Sequence, residues 1–304
     1  MARNELIALT ITSIEPEMLK RFAAILILMG LLPLTMVGQG SFSKLEIGLN
    51  GGGMNYIGDL NNQSMLGKPN VGYGAMLRYK LDNRWSVVVG GSYSHLEGGN
   101  PDYIARRNLS FRSYVGEGYV RLDFNFFPYG YGDMQFPWTP YIFGGMGFFV
   151  FNPTAYYTDP LTGESEWVDL QPLGTEGQGL LEYPDRTQYN LLQACMPFGL
   201  GVKMMVAKPL TIAVEYGWRK TWTDYIDDCS TTYVDNTLLA YSRGDMTAGL
   251  ADRSGEVVEG YVNAAGMKRG DDSLNDWYAY LNVSATLSLD FLFRSVLKKK
   301  CNNK

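Results

Sequence analysis

Apolar and polar residues alternate with a period of two near the C-terminal end of the chain. From Trp277 to Phe293 the odd positions are apolar, while the even positions from Tyr278 to Asp290 are mostly Tyr, Asn, Ser, Thr or Asp. This pattern predicts a strand with one apolar and one polar face. Residues 277–293 form a longer regular run than soluble sheets normally contain, which favours a membrane barrel strand.

Seven further segments are predicted as strands. Residues 112–126 and 210–222 show the same alternation, and weaker patterns cover 44–54, 71–81, 85–96, 139–152 and 194–207, of which the last two are apolar or glycine-rich on both faces. The total of eight is even, as in bacterial outer-membrane barrels. The sequence therefore predicts an all-β fold: a closed antiparallel transmembrane β-barrel of about eight strands.

The connections between these strands fall into two length classes. Residues 82–84 and 208–209 are tight turns and 126–138 is a moderate one, whereas 58–70, 97–110, 153–192 and 224–275 are longer. Outer-membrane barrels have short periplasmic turns and long extracellular loops, so the longer class is assigned to the outside. The two longest, 153–192 and 224–275, are expected to be extracellular loops without helix or strand.

Charged residues recur on the predicted inner face of the barrel. An eight-stranded interior holds only packed side chains, and an unpaired buried charge is costly, so these residues are expected to form a salt-bridged plug in a polar interior with no open pore. The predicted lumen charge network comprises Glu46, Arg78, Lys80, Glu117, Arg121, Asp123, Lys203, Glu215, Arg219 and Asp290. A soluble lipocalin-like barrel is the alternative, but it would place apolar residues inside and charges outside.

The two ends of the chain differ from the barrel. Residues 1–40 are predicted to be a signal peptide region, because Lys20 and Arg21 precede an apolar run too short for a membrane-spanning helix, and translation beginning at Met18 would give an ordinary signal. The barrel is assigned to 41–293. Residues 294–304 form a basic tail expected on the periplasmic side.

Composition narrows the function classes. The net charge of −5 does not indicate a nucleic-acid partner. The three cysteines, Cys195, Cys229 and Cys301, are odd in number and widely spaced, which argues against a disulfide framework or a metal cluster. Outer-membrane lipid is the expected partner, and neither a cofactor nor a small-molecule substrate is expected.

Three local motifs contain residue types that can carry chemistry. Asp224, Asp227, Asp228 and Asp235 are a weak candidate cluster for calcium, against the alternative that they are solvated or paired with Arg219 and Lys220. The string GTEGQG at 174–179 lacks the ending of a phosphate-binding loop and is predicted to be a surface loop. His95, the only histidine, is expected on the opposite face from Ser94, so no catalytic residue is assigned and the protein is not expected to be an enzyme.

Several motifs resemble a Bacteroidota family of small outer-membrane barrels that includes the PorG-type component of the type IX secretion system. They are EIGLNGGGMNYIGDL at 46–60, RLDFNFFPYG at 121–130, TPYIFGGMGFFVFNP at 139–153, DLQPLGTEGQGL at 169–180 and EYGWRKTWTDYIDDCSTTYVD at 215–235. The resemblance implies a non-enzymatic barrel in the cell outer membrane that anchors periplasmic ring proteins of a secretion machinery, with 126–138 and 294–304 as the docking regions. Two alternatives stay open: a surface-exposed binding barrel that uses loops 153–192 and 224–275, and a lipid-modifying outer-membrane enzyme that depends on His95.

Overall fold

The computed structural model describes residues 44–61, 69–100, 107–129, 136–207 and 209–289. Its strands are β1 (Leu45–Ile57), β2 (Asn70–Lys80), β3 (Trp85–Asn100), β4 (Leu109–Asn125), β5 (Trp138–Thr158), β6 (Ser165–Asp169), β7 (Leu192–Ala207), β8 (Leu210–Thr221) and β9 (Trp277–Ser288). The predicted signal region, the basic tail, Asp290 and Cys301 lie outside the described residues.

Eight of the nine strands close into one barrel. β1 pairs antiparallel with β2 and with β9, and antiparallel pairing continues around the ring through the contacts of β4 with β5 and of β5 with β7. The remaining strand, β6, pairs with the outer end of β5 and forms a short hairpin with it. The predicted closed eight-stranded antiparallel barrel is confirmed.

The wall of the barrel is apolar outside and polar inside. In β9 the inward residues from Asn282 to Ser288 are buried, whereas the outward Leu281, Val283 and Leu287 are 40–53% exposed. The same arrangement recurs around the ring, with Leu49, Val71 and Met146 at least 60% exposed. Because a strand places successive side chains on opposite faces, the period of two in the sequence becomes this inside-out distribution.

Regular structure forms in both long loops, which were expected to lack it: 153–192 contains β6, and 224–275 contains two short helices. Within 224–275, α1 spans Asn236–Arg243 and α2 spans Asp245–Ala251, followed by a 3₁₀ turn at Ser254–Glu256. Asp235 begins α1, since its side chain accepts a hydrogen bond from the Leu238 N–H at 3.0 Å. The expectation of irregular loops was wrong here because helices of seven and eight residues show too few turns for periodicity to stand out. Among the described residues, no helix is both long and apolar enough to cross a membrane.

The barrel interior divides into two halves. The inner half, near the turn 82–84 and the start of β8, is filled by buried charged side chains, as expected. The outer half, toward the long loops, is filled by an apolar and aromatic core that includes Met54, Phe111, Phe149 and Phe151. We call this the outer core. The prediction of a polar interior is therefore wrong for the outer half.

Three strands reach further outward than predicted. β3 continues to Asn100, β4 begins at Leu109, and β5 continues to Thr158. Their inward residues in these extensions, such as Phe111 and Ala155, are buried and apolar, so the extended strands form the wall around the outer core.

Candidate functional site

A chain of ion pairs fills the inner half of the barrel. It runs from Lys80 to Glu46 (2.5 Å), from Glu46 to Arg78 (3.2 Å), and from Arg78 to Asp123 (3.5 Å). It continues through Arg121, which lies 3.1 Å from Asp123. Glu215 ends the chain, 2.5 Å from Arg121. Six of the predicted network residues, from four different strands, are thus brought together.

The remaining inward charges have separate partners. Arg219 and Glu117 form a buried pair at 3.0 Å, and Tyr278 donates its hydroxyl to Glu117 at 2.6 Å. The ammonium group of Lys203 lies 4.5 Å from the ring centre of Tyr141, a cation–π contact. The described lumen residues are all largely buried, with Lys80 the most accessible at 13% of its side chain.

Glycines on the inner face make room for these large side chains. A Cβ at Gly201 would lie 2.9 Å from the ring of Tyr141, and a Cβ at Gly52 would lie 2.0 Å from the carbonyl oxygen of Leu281. Both positions therefore require the absence of a side chain. The high glycine content thus allows strands to approach and rings to fill the barrel.

Stacked aromatic rings connect the outer core to the loops above it. Phe151 stacks on Tyr189 with ring centres 6.2 Å apart, and Tyr189 stacks on Tyr225 at 4.5 Å. Tyr189 belongs to loop 153–192 and Tyr225 to loop 224–275. The two long loops therefore continue the barrel core outward as one packed structure, which we call the outer cap (residues 153–192 and 224–276).

Glu176 is the hub of the outer cap. It is fully buried and accepts hydrogen bonds from the Ser230 and Thr231 amides at 3.0 and 3.1 Å, and it forms an ion pair with Arg269 at 3.1 Å. The preceding Gly174 has a φ of 64°, which glycine adopts without strain. The prediction that 174–179 is a surface loop was wrong, because Thr175, Glu176 and Gln178 are buried against the other loop.

The four aspartates of the candidate calcium cluster are not arranged around one point. Asp235 caps α1, whereas Asp228 lies 3.5 Å from Arg269 and accepts the Tyr189 hydroxyl at 2.7 Å. Asp224, Asp227 and Asp228 are buried rather than solvated, and Arg219 pairs with Glu117 and not with them. In the part of the chain that the structure describes, no group of three His, Cys, Asp or Glu residues is placed to hold a metal ion.

Burial gives the cap acids unusual protonation behaviour. Desolvation raises the pKa of Asp224 to about 9, that of Asp227 to about 7 and that of Asp228 to about 6. Arg269 opposes the shift at Asp227 and Asp228 but does not cancel it. Desolvation and the neighbouring Asp227 also raise the pKa of Asp276 well above its ordinary value. The outer cap is therefore a site that retains protons near neutral pH.

Within the part of the chain that the structure describes, two cysteines are buried and the histidine lies on the barrel exterior. Cys195 and Cys229 are both buried free thiols, and burial raises the pKa of the Cys229 thiol. Ser94 is buried in the interior, where its hydroxyl donates to the Val71 carbonyl at 3.1 Å. His95 points the other way and packs edge-on against Tyr93 at 5.6 Å.

Three residues of the outer cap, and one β1 residue that contacts it, were missed by sequence reasoning: Glu176, Arg269 and Asp276 in the cap, and Tyr56 in β1. Each lies far along the chain from its partner, with Tyr56 and Asp276 separated by 220 positions. The one sequence signal was the position of Asp276 directly before β9. Because β9 pairs with β8, and Asp224 and Asp227 follow β8, Asp276 would be expected near those two acids. Their juxtaposition depends on the loop fold, which alternation does not reveal.

The chain has similarities to one sequence family and to several solved structures. Residues 21–166 match a family model described as a domain of unknown function, DUF6089. Among solved structures, the chain is similar to Neisserial surface protein A (9% identity, 81% of this chain and 97% of that chain, TM-score 0.39). It is also similar to a major outer membrane protein from Thermus thermophilus (11%, 80% and 98%, TM-score 0.37) and to Ail, the attachment invasion locus protein of Yersinia pestis (11%, 80% and 96%, TM-score 0.36). Among curated proteins, none matches the sequence.

Proposed function

We propose that this protein is a sealed, non-enzymatic barrel of the bacterial outer membrane. The observation that carries this proposal is the wall itself, which exposes Leu49, Val71 and Met146 while burying ion pairs in its interior. Exposed apolar bands of this kind are stable only against lipid. The purified protein is expected to need detergent for solubility and to give no ion conductance in a planar bilayer. A stepwise conductance would contradict the sealed interior.

As the specific role, we propose anchoring of a secretion machinery, as in the PorG-type component. A sealed barrel offers partners only its two ends, and the resemblance of the motifs points to the periplasmic one. Supporting this, aromatic side chains cluster between the described segments 126–129 and 136–138. The ring of Phe127 lies 5.1 Å from that of Phe136 and 5.4 Å from that of Trp138, and Phe136 is 36% exposed. Aromatic residues are enriched where proteins bind one another.

A second candidate function is binding of an external partner by the outer cap. The observation that favours it is that the long loops are folded and packed around buried Leu170, Leu239 and Leu250, yet present Leu161 and Tyr241 with more than 90% exposure. Preorganised loops lose little conformational entropy on binding.

Site-specific photocrosslinking in cells tests the two roles against each other. A photoreactive residue at Phe136 samples the periplasmic end, and one at Leu161 samples the outer cap; both are exposed positions. Capture of periplasmic proteins from position 136 alone supports anchoring, whereas capture of external molecules from position 161 alone supports surface binding. Crosslinks to phospholipid only, at both positions, contradict both roles.

The proposed absence of enzymatic activity is supported by the opposite orientation of Ser94 and His95. A lipid-modifying enzyme depending on His95 is the competing possibility. Mass spectra of membrane lipids from cells producing wild type and His95→Ala should be identical. A lipid species lost only in the variant would overturn the proposal.

A further inference from the structure

One tyrosine hydroxyl on the barrel wall lies between two carboxyl groups of the outer cap. The Oη atom of Tyr56, at the outer end of β1, is 2.7 Å from Asp227 Oδ2 and 2.6 Å from Asp276 Oδ1. Asp227 lies near the beginning of loop 224–275, and Asp276 immediately precedes β9. These three buried side chains therefore join three separate segments of the chain.

The other oxygens of the two carboxyl groups already have donors. Asp227 Oδ1 accepts the Cys229 amide at 2.9 Å, and Asp276 Oδ2 accepts the Ile226 amide at 2.8 Å. The tyrosine hydroxyl carries a single proton and can donate it to only one carboxylate. The second short contact is a hydrogen bond only if the other carboxyl group is protonated and donates to Tyr56 Oη.

The surroundings disfavour two negative charges at this point. Asp59 adds negative charge near the pair, and Asp224 adds more once it ionises. Arg269 opposes the shift at Asp227 but makes its ion pairs with Glu176 and Asp228. The other titratable groups of the packed elements are Tyr189, Tyr225 and Cys229, which are uncharged at neutral pH because burial raises the pKa of each. Like charges held close in a buried site favour retention of one proton.

We propose that Asp227 and Asp276 share one proton across the Tyr56 hydroxyl, and that this proton latch (Tyr56, Asp227 and Asp276) fastens the outer cap to the barrel wall in a pH-dependent way. Loss of the proton replaces a donor–acceptor contact with repulsion between two carboxylates. The cap then opens at high pH, while the barrel below it stays closed.

The sign of the pH dependence follows from the raised pKa values. An acid whose pKa is higher in the folded cap than in the open loop stabilises the cap fully below its ordinary pKa, and that contribution is lost as the pH rises through the folded value. For Asp227 the folded value is about 7. Opening of the cap is therefore expected to begin above about pH 4, the ordinary pKa of aspartate, and to increase as the pH rises through about 7.

Hydrogen–deuterium exchange on the full chain in detergent micelles tests the latch. Protection of 224–275, corrected for the intrinsic pH dependence of exchange, should fall about tenfold or more between pH 5 and pH 9, the change expected when one pKa shifts by at least one unit. Asp276→Asn preserves both hydrogen bonds of the protonated form, because its amide donates to Tyr56 and its oxygen accepts from Ile226. The variant should therefore lose the part of the pH dependence that the latch contributes, and keep only the part that comes from Asp224 and Asp228. Glu259→Gln removes an exposed charge from the same loop and should follow the wild-type profile.

Infrared spectroscopy provides a second readout that does not depend on cap opening. At pH 6 the wild-type spectrum should contain a protonated carboxyl band that is weaker in Asp276→Asn and unchanged in Glu259→Gln. Wild-type protection that does not vary with pH overturns the latch. An unchanged carboxyl band in Asp276→Asn overturns the shared proton.

Discussion

The two halves of the barrel interior are both filled by packed side chains, but those side chains are charged in one half and aromatic in the other. The inner half is filled by charged side chains such as Arg78, Arg121 and Glu215, linked in ion pairs of 2.5–3.5 Å. The outer half is filled by rings such as Phe149 and Phe151, which stack with centres 5.5 Å apart. The wall exposes apolar side chains around both halves, and the aromatic half leads into the outer cap.

This difference shows what each half contributes. A charged interior is stable only while its charges balance, because removal of one partner leaves an uncompensated buried ion. An aromatic interior depends instead on volume and tolerates no cavity. The inner half therefore seals the barrel, and the outer half acts as an ordinary hydrophobic core on which the cap loops fold.

The largest predicted effect comes from unbalancing a charge. Arg219→Met leaves Glu117 buried with only Tyr278 as a partner, and the free energy of unfolding should fall by about 5 kcal/mol, the upper end for a broken buried pair. Urea unfolding of the barrel in lipid vesicles, followed by tryptophan fluorescence, measures the change.

Two controls define this result. The double variant Arg219→Met with Glu117→Gln removes both charges and should recover most of the lost stability. Arg253→Met breaks an ion pair in which Glu256 is 53% exposed, and should cost less than about 1 kcal/mol. A small effect of Arg219→Met would mean that water reaches Glu117 and that the interior is not sealed.

The aromatic half should respond to lost volume instead. Phe151→Ala removes a fully buried ring next to Phe149 and Tyr189 and should destabilise the protein by about 4 kcal/mol, measured by the same urea titration. Phe148→Ala is the matched control, because this neighbouring ring is 48% exposed on the outer wall and its removal leaves no internal cavity. Equal losses of stability in the two variants would contradict the placement of Phe151 in the barrel interior and of Phe148 on its exterior.

The comparison also explains which features of the fold were predictable. Alternation identified β8, β9 and the charged part of β4 because an apolar outer surface and ion pairs inside require opposite residue types at successive positions. In β5 the run from Phe148 to Phe151 is apolar on both faces, which is the signal of a strand buried on both sides. Phe149 and Phe151 of that run belong to the aromatic half of the interior, which was not predicted from the sequence.

The outer cap was much less accessible to sequence reasoning. Its hub, Glu176, contacts Ser230 and Arg269, which are 54 and 93 positions away. Such contacts follow from three-dimensional packing and leave no local period. Sequence spacing grouped Asp224, Asp227 and Asp228 with Asp235, which caps a helix instead, and missed Asp276.

A smaller effect is expected when the hub of the cap is neutralised. Glu176→Gln keeps the size of the side chain but weakens its hydrogen bonds with Arg269 and with the Ser230 and Thr231 amides, at a cost of about 2 kcal/mol to the closed cap. Faster amide exchange at Ser230 and Thr231, with little change in unfolding of the barrel, is the expected result. Glu166→Gln in the exposed β5–β6 hairpin is the control. Global unfolding in place of local opening would show that the cap and barrel are one cooperative unit.

The smallest effect distinguishes a helix cap from a metal ligand. Asp235→Ala removes the acceptor for the Leu238 amide and should destabilise α1 by about 1 kcal/mol, seen as faster amide exchange within 236–243. Asp235→Asn retains a capping oxygen and should restore most of the protection, because asparagine is an equally good N-cap residue. Added calcium should change neither profile if Asp235 acts only as a cap. Calcium-dependent protection in wild type that is lost in both variants would instead show that Asp235 binds calcium together with the other three aspartates. In that case Asp235 would not act only as a helix cap, and the other three would not act only as protonated acids.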